Sequence, residues 1–172
     1  MTDIHLPTLK TKRLTLRHLT DDDFSFMREL DSNPEVVKYI KHGNPRTEEE
    51  TTHYMQKMYA NYEVFEIGMM IVEDSITHEK LGRAGLFPKN SDEGLIWEIG
   101  FAFKPTAWGK GYATEVATYL MNWGIENLET DFIVMVIQSA NLDSIHVANK
   151  VGFNHWRDEF IDDIEYSIYR TL

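Results

Sequence analysis

Seven stretches of the chain carry hydrophobic patterns that predict β-strands. The segment 13–19 (RLTLRHL) alternates apolar and polar residues, which is typical of a half-buried strand. The segment 95–103 (LIWEIGFAF) is apolar almost throughout and is the candidate for a central strand. A polar turn between the second and third strands predicts a hairpin, and the last two are expected to form a closing antiparallel pair. The seven predicted strands are 13–19, 65–73, 80–88, 95–103, 131–138, 153–160 and 164–171.

Capping signals and an apolar repeat of three and four residues predict the helices between these strands. Thr20 and Thr47 are each followed three residues later by an acidic residue, as in a capping box. Asn141 is a suitable N-cap for the last helix, and Gly152 supplies its C-terminal stop. The predicted helices are 20–30, 34–39, 47–61, 111–128 and 141–151. The fourth has the clearest apolar stripe, formed by Ala113, Val116, Ala117, Leu120, Met121 and Gly124. This order of elements predicts an α/β fold, in which a mixed sheet of about seven strands has helices on both faces.

Length and cysteine content limit the class of protein. The 172 residues fit one domain spanning 1–172, and the 42% hydrophobic content suits a folded protein. The sequence has no cysteine, which excludes disulfides, thiolate metal sites and a cysteine nucleophile. No apolar run approaches the roughly 20 residues that cross a bilayer. The N-terminal residues also lack the apolar core of a signal peptide, so we expect a cytoplasmic protein with no membrane partner.

The charge of the chain bears on its partners. The formal net charge is −11 and no basic stripe is present, which disfavours a nucleic-acid partner. The negative charge either keeps the protein soluble or attracts a cationic substrate such as an amine. The seven histidines are scattered without metal-ligand spacing, so we expect no metal site.

A loop with two glycines joins the predicted central strand to the helix 111–128. Gly109 and Gly111 let the backbone approach a ligand, and the first amides of a helix lack partners within it. Together with the positive end of the helix dipole, this arrangement predicts an anion cradle. Two other phosphate motifs are excluded, because Thr114 breaks a Rossmann fingerprint and Lys110 is followed by glycine rather than serine or threonine. The alternative is a tight strand-to-helix turn that binds nothing. The candidates for added positive charge are Lys104, Lys110 and Lys150.

Four segments resemble those of a known family. The segment 108–115 (WGKGYATE) resembles the acetyl-CoA pyrophosphate loop of the GNAT N-acetyltransferases, and 141–153 (NLDSIHVANKVGF) is similar to their coenzyme-contacting helix. The segments 12–17 (KRLTLR) and 33–36 (NPEV) match the branch that resembles the ribosomal-protein N-terminal (RimJ/RimL-type) acetyltransferases. The matches follow the family's order and cover nearly the whole chain. The resemblance implies a mostly antiparallel, splayed sheet with the coenzyme wedged between two central strands.

The resemblance also implies a set of coenzyme-binding residues. The backbone of 101–103 would pair with the pantetheine arm, the amides of 109–114 would hold the pyrophosphate, and Asn141 would contact the pantetheine. The full set is Phe101, Ala102, Phe103, Trp108, Gly109, Lys110, Gly111, Tyr112, Ala113, Thr114, Asn141 and, as a weaker candidate, Lys150. Two positions depart from the broad family pattern: Trp108 replaces a glutamine or arginine, and Ala148 replaces a tyrosine that acts as an acid.

Two residues are candidates for the chemistry of acetyl transfer. Glu98 is the candidate base, acting through water, because the apolar residues around it would raise its pKa. The alternative places Glu98 on a solvent-facing side of its strand. Ser144, one helical turn after Asn141, is the candidate donor of a proton to the leaving sulfur, as the resemblance suggests; a surface serine is the alternative.

The predicted function is therefore transfer of an acetyl group from acetyl-CoA, as co-substrate, to a primary amine. The acceptor classes are a protein N-terminus, a polyamine or an amine-bearing small molecule, and the alternative function is a non-catalytic acyl-CoA sensor. The segments 31–46 and 158–163 are expected to flank the acceptor entrance. The second is rich in carboxylates, which favours a cationic acceptor unless it is simply a solvated hairpin tip. The sequence leaves the oligomeric state open, a homodimer included.

Overall fold

The computed structural model describes residues 8–172, which form one mixed sheet with helices on both faces. The strands are β1 (Leu9–Lys10), β2 (Leu14–His18), β3 (Met69–Asp74), β4 (Lys80–Ser91), β5 (Gly94–Phe103), β6 (Ile133–Gln138), β7 (Asn154–Ile161) and β8 (Ile164–Arg170). The helices are α1 (Phe24–Ser32), α2 (Pro34–Val37), α3 (Glu48–Phe65), α4 (Tyr112–Asn127) and α5 (Leu142–Val151). The strand order is β1-β2-β3-β4-β5-β6-β8-β7. None of the helices within 8–172 is long and apolar enough to cross a membrane.

The predicted elements are present, with two corrections at their boundaries. The sheet has eight strands, because Leu9 and Lys10 pair with β2; two residues are too short to show an alternating pattern. The stretch 62–65 is helical, and β3 begins at Met69 rather than at Phe65. Tyr62 is buried in the core, in phase with the other buried residues of α3. The helix is capped at its C-terminal end by Glu66, whose φ of 61° is left-handed.

The two faces of the sheet have separate hydrophobic cores. On the first, called here the α4 face, α4 buries Val116, Ala117 and Leu120 against β4, β5 and β6. On the second, called the α3 face, Met27 of α1 and Met55 and Met58 of α3 pack on β3. Full burial of each such side chain stabilises the fold by about 1.5–3 kcal/mol. The helices thus hold the sheet rigidly from both sides.

The centre of the sheet is split between β5 and β6. β5 pairs with β4 along its whole length, in antiparallel register. With β6, which runs parallel to it, β5 pairs only at Trp97↔Ile133 and Glu98↔Val134. Beyond Glu98 the described residues show no further pairing of these strands, so they diverge towards their C-terminal ends. The edge of β5 from 99 to 103 therefore faces a V-shaped gap and can offer backbone groups to a ligand.

Candidate active site

Two helix N-termini flank the open end of the gap. α4 follows β5 and α5 follows β6, so both helices begin where the diverging strands end. Ligands of open α/β sheets bind at the carboxyl ends of strands for this reason, since unpaired helix amides converge there. The partial positive charge of the two helix ends makes the mouth of the gap suited to an anion.

The loop before α4 is open to solvent and has the geometry of an anion cradle. Gly109 and Gly111 are exposed and left-handed, with φ of 72° and 80°. Gly111 is the N-cap and has no side chain to cap the first-turn amides of 112–114. Within residues 8–172, a Cβ added at Gly109 would meet no atom within 4 Å, and one at Gly111 would meet only Arg13 Nη2 at 3.5 Å. Among the described residues, the surface beside the two glycines is therefore uncrowded.

Arg13 and Thr11 hold this loop, and the sequence did not single them out for it. Arg13 Nη1 donates to the carbonyl of Lys110 at 2.9 Å, and its guanidinium lies 4.6 Å from the centre of the Tyr112 ring. Its Nε donates to Glu115 Oε2 at 2.7 Å, while the backbone amide of Arg13 and the hydroxyl of Thr11 donate to Oε1. Burial alone would raise the pKa of Glu115, but these bonds outweigh it and lower the pKa. Arg13 belongs to one of the segments that match the family, yet a single sequence carries no signal for this distant pairing.

The residues expected to pair with pantetheine lie along the gap. Phe101 and Phe103 point to the α4 face, where the Phe103 ring lies 6.3 Å from that of Tyr112. Ala102 points to the opposite face and is buried. Trp108 Nε1 donates to the Phe103 carbonyl at 2.8 Å, so this carbonyl already has one partner. The remaining coenzyme candidates, Lys110, Ala113 and Thr114, lie in the loop and the first turn of α4.

Asn141 and Ser144 form a pair at the start of α5. Asn141 caps the helix by accepting from the Ser144 amide, and its Nδ2 donates to Ser144 Oγ at 3.0 Å. The hydroxyl hydrogen of Ser144 is therefore left to donate elsewhere. Ala148 is fully buried in the core, so this position offers no acid. Lys150 is exposed in the last turn of α5, about 13 Å along the helix from Asn141.

Glu98 lies at the apex of the gap. It is the last residue of β5 that pairs with β6, and Phe87 lies beside it on β4. Its side chain is only 15% exposed, which removes the alternative of a solvent-facing carboxylate. Burial raises the pKa of Glu98 from its usual value of 4.5 to about 7, although Lys89 Nζ, 3.5 Å from Oε2, acts to lower the pKa. A carboxylate with this pKa can both accept and release a proton near neutrality.

A cavity of about 970 Å³ lies on the α3 face. All the residues that line it fall between Asp31 and Lys57, and they include half of the segment 31–46 that was expected to flank the acceptor entrance. Tyr54 lines this cavity; burial is the main cause that raises its pKa, and the charge of Glu98 adds to the rise. The charge of Glu98 thus acts on a residue of the cavity wall, while Glu98 itself is not among the residues that line the cavity.

The other expected flank, 158–163, is arranged differently. Asp158 accepts from His155 at 2.8 Å, and Glu159 pairs with Arg157 at 2.6 Å. Asp162 and Asp163 form the tip of the β7–β8 hairpin in left-handed conformations. Two of the four acidic residues are thus already paired, and none of them lines the cavity on the α3 face.

Comparison with known proteins gives one family. The profile described as "Acetyltransferase (GNAT) domain" matches residues 13–154. The "Uncharacterized N-acetyltransferase p20" of Bacillus licheniformis is 30% identical over 154 residues, covering 86% of this chain and 83% of that protein.

Two solved structures have the same fold. One is RimL, a ribosomal L7/L12 alpha-N-protein acetyltransferase in complex with coenzyme A, with a TM-score of 0.80, 14% identity and coverage of 96% and 98% of the two chains. The other is the spermidine N-acetyltransferase of Vibrio cholerae in complex with CoA and spermine, with a TM-score of 0.76, 19% identity and coverage of 92% and 95%.

Proposed function

The chain belongs to the GNAT acetyltransferase family and is an N-acetyltransferase, and we propose that it transfers the acetyl group of acetyl-CoA directly to a primary amine within a ternary complex. The observation that carries this proposal is the position of Glu98 at the apex of the β5–β6 gap, with a pKa near neutrality. The gap opens to the coenzyme loop, and the charge of Glu98 acts on Tyr54, which lines the cavity on the α3 face. Coenzyme and acceptor would thus reach the same residue by separate routes.

The coenzyme would bind along the gap with its diphosphate at the loop 108–114. The uncapped amides of 112–114 would donate to the phosphate oxygens, helped by the positive end of α4. Two left-handed glycines keep side chains away from the approach path. Arg13 would neutralise Glu115, which otherwise places a negative charge in the first turn of the same helix. The pantetheine arm would then lie beside the free edge of β5 at 99–103.

Glu98 would act as the base. A primary amine enters as an ammonium and cannot attack until it loses one proton, which passes to Glu98 through water. The neutral nitrogen then forms a bond to the thioester carbon, and the C–S bond breaks to release the thiolate. Of the two protons that leave the nitrogen, one remains with Glu98 or solvent and the other ends on the sulfur. The products are the N-acetyl amine and free coenzyme A.

Ser144 would donate a proton to the sulfur and regain one from the acetylated nitrogen through water, so that the second amine proton ends on the sulfur by way of this hydroxyl. Its hydroxyl hydrogen is free because Asn141 Nδ2 donates to its oxygen. A thiol with a pKa of roughly 8.5 leaves readily near neutral pH, so this assistance is small. A backbone amide of the Phe101 region would stabilise the oxyanion, since the thioester carbonyl lies beside that edge of β5.

The acceptor would be a small or peptidic primary amine. The amine is a cation when it enters, and the net charge of −11 favours its approach. The solved structures with the same fold are named for spermidine and for a protein α-amine, which are both amine acceptors.

Release of free thiol from acetyl-CoA with a panel of amines tests the proposal. We expect amine-dependent release, together with binding of coenzyme A measured by calorimetry. Coenzyme binding with no amine-dependent release across protein N-terminal peptides, polyamines and amino acids would instead support an acyl-CoA sensor. Failure to bind coenzyme A at all would contradict both functions.

A further inference from the structure

A buried cluster of charged side chains lies between the cavity on the α3 face and the sheet. Asp31 of α1 is fully buried and accepts from Arg83 of β4 at 2.6 Å and from Arg46 at 3.0 Å. The two guanidiniums lie 5.2 and 4.3 Å from the centre of the Tyr54 ring. Asp31, Arg46 and Tyr54 line the cavity. The cluster is therefore a wall of the space assigned to the acceptor.

The cluster contains more positive than negative charge. Arg46 and Arg83 contribute two positive charges against the single negative charge of Asp31, and the side chains of the arginines are only 17% and 4% exposed. Glu98, the nearby carboxylate, has its pKa raised to about 7 by burial, so it does not fully compensate. Buried charges in proteins are normally paired, because removing an ion from water costs several kcal/mol. Among the described residues, this wall therefore carries one more positive than negative charge.

The arginines also keep unused donors. Among residues 8–172, Asp31 is the side-chain partner found for the guanidiniums of both Arg46 and Arg83, and each bond uses one Nη1 atom. A guanidinium has five N–H groups in a planar fork that matches a carboxylate. Both guanidiniums also lie within cation–π distance of the Tyr54 ring, which favours their present positions.

No carboxylate among residues 8–172 other than Asp31 forms an ion pair with Arg46 or Arg83, although Thr47 mainly, and the charges of Lys41 and Arg46 in addition, lower the pKa of Glu50. Glu49 and Glu50 are exposed at the start of α3, and the Glu50 carboxylate accepts from the Thr47 amide. Lys41 and Lys57 line the same cavity and match these two acids in number. The excess positive charge thus belongs to the buried wall.

We propose that the acceptor is a small amine that also bears a carboxylate, with the carboxylate on Arg46, the arginine of the cluster that lines the cavity, and the amine directed to Glu98. This inference rests on the proposed acetyl transfer and narrows its acceptor class to amino acids and related zwitterions. Polyamines lack the anion that Arg46 would bind.

Matched acceptors test the inference on the wild-type enzyme. We compare kcat/KM by thiol release for L-phenylalanine, L-phenylalaninamide and phenethylamine, and for lysine, lysinamide and cadaverine. The carboxylate member of each series should exceed its amide and its decarboxylated amine about tenfold or more, as expected for one charge-assisted contact. Equal rates within a series, or a preference for cadaverine, would overturn the inference and leave the acetyltransferase proposal intact.

A variant pair links the preference to the wall. Arg46→Gln should abolish the discrimination between amino acid and amide, whereas Lys38→Gln should keep it; Lys38 is exposed, follows α2 and does not line the cavity. Coenzyme affinity and melting temperature verify that both variants fold. Discrimination that survives in Arg46→Gln would contradict the assignment.

A binding measurement tests the preference for a carboxylate without requiring turnover. N-acetyl-L-phenylalanine should raise the melting temperature of the wild-type protein in the presence of coenzyme A more than N-acetyl-L-phenylalaninamide does. Equal shifts would overturn the inference even if no amine of the panel were acetylated. Absence of turnover alone would count against the proposed function.

Discussion

The guanidinium of Arg13 holds the carboxylate of Glu115 at 2.7 Å across 102 positions of the sequence. This contact joins the start of β2 to the first turn of α4, beside the amides assigned to the coenzyme diphosphate. A free carboxylate in that turn would repel the phosphates. Arg13 therefore both positions the loop before α4 and neutralises the negative charge of Glu115.

Arg13→Gln should weaken coenzyme A binding about tenfold, because Glu115 is then left as an unpaired anion and the Lys110 carbonyl loses its donor. Calorimetric titration with coenzyme A measures the change. The double variant Arg13→Gln/Glu115→Gln should recover part of the loss, since the repelling charge is gone. Equal affinity in wild type and Arg13→Gln would show that the contact has no effect on the coenzyme loop.

Gly111→Val should weaken coenzyme A binding at least tenfold and leave pantetheine, which lacks the diphosphate, nearly unaffected. The protein itself leaves space for the side chain, so the folded state bears mainly the left-handed strain of about 1–2 kcal/mol. The side chain would instead occupy the path of the diphosphate.

Gly152→Val is the matched control for that variant. Gly152 is also left-handed, with φ of 104°, and a Cβ there meets nothing within 4 Å. It should lose similar stability and keep its coenzyme affinity. A Gly111→Val protein that binds coenzyme A like wild type would remove the assigned role of the loop.

Glu98→Gln should lower kcat severely and leave coenzyme affinity unchanged, because the variant cannot take the proton of the acceptor. A base works in its deprotonated form, so wild-type activity should rise with pH and level off above about 7, the pKa that burial gives Glu98. Activity is measured against pH for both proteins with the same acceptor. A rise that is present in the wild type and absent from Glu98→Gln belongs to Glu98, and a rise that both proteins share belongs to the amine.

Lys89→Gln provides a further check on the pH at which Glu98 loses its proton. Lys89 acts to lower the pKa of Glu98, so its removal should move the midpoint to higher pH. A midpoint that stays in place, or a Glu98→Gln protein with wild-type rates across the pH range, would eliminate Glu98 as the base.

Glu98→Gln should also stabilise the protein at alkaline pH. The folded pKa of about 7 lies above the usual 4.5, so the folded state binds this proton more tightly and loses stability as pH rises from 4.5 to 7. The difference of 2.5 pH units corresponds to at most about 3 kcal/mol at pH 8. Urea unfolding at pH 5 and pH 8 measures it, and a variant that is not more stable at pH 8 would contradict the raised pKa.

Signals contained in a few neighbouring residues determined much of this structure in advance. The capping box of Thr47 and Glu50, the apolar stripe of α4 and the Asn141 cap of α5 are present as predicted, because each depends on contacts within one or two helical turns. The glycines of the coenzyme loop were recognisable for the same reason, since left-handed backbone favours glycine.

Contacts between distant residues could only be read from the tertiary structure. β5 and β6 pair at only two positions, so a gap opens beyond them with Glu98 at its apex. The pattern of residues within β5 does not reveal this partial pairing. Asp31 meets Arg83 across 52 positions, and Arg13 meets Glu115 across 102. Such pairs depend on how whole elements pack. The burial of Glu98, which raises its pKa, also comes from residues that are distant in the sequence. The sequence by itself determined the family, the order of the helices and the glycine turn before α4, because these depend on residues close together in the chain; the packing of distant elements decided the apex of the gap and the charged wall of the cavity.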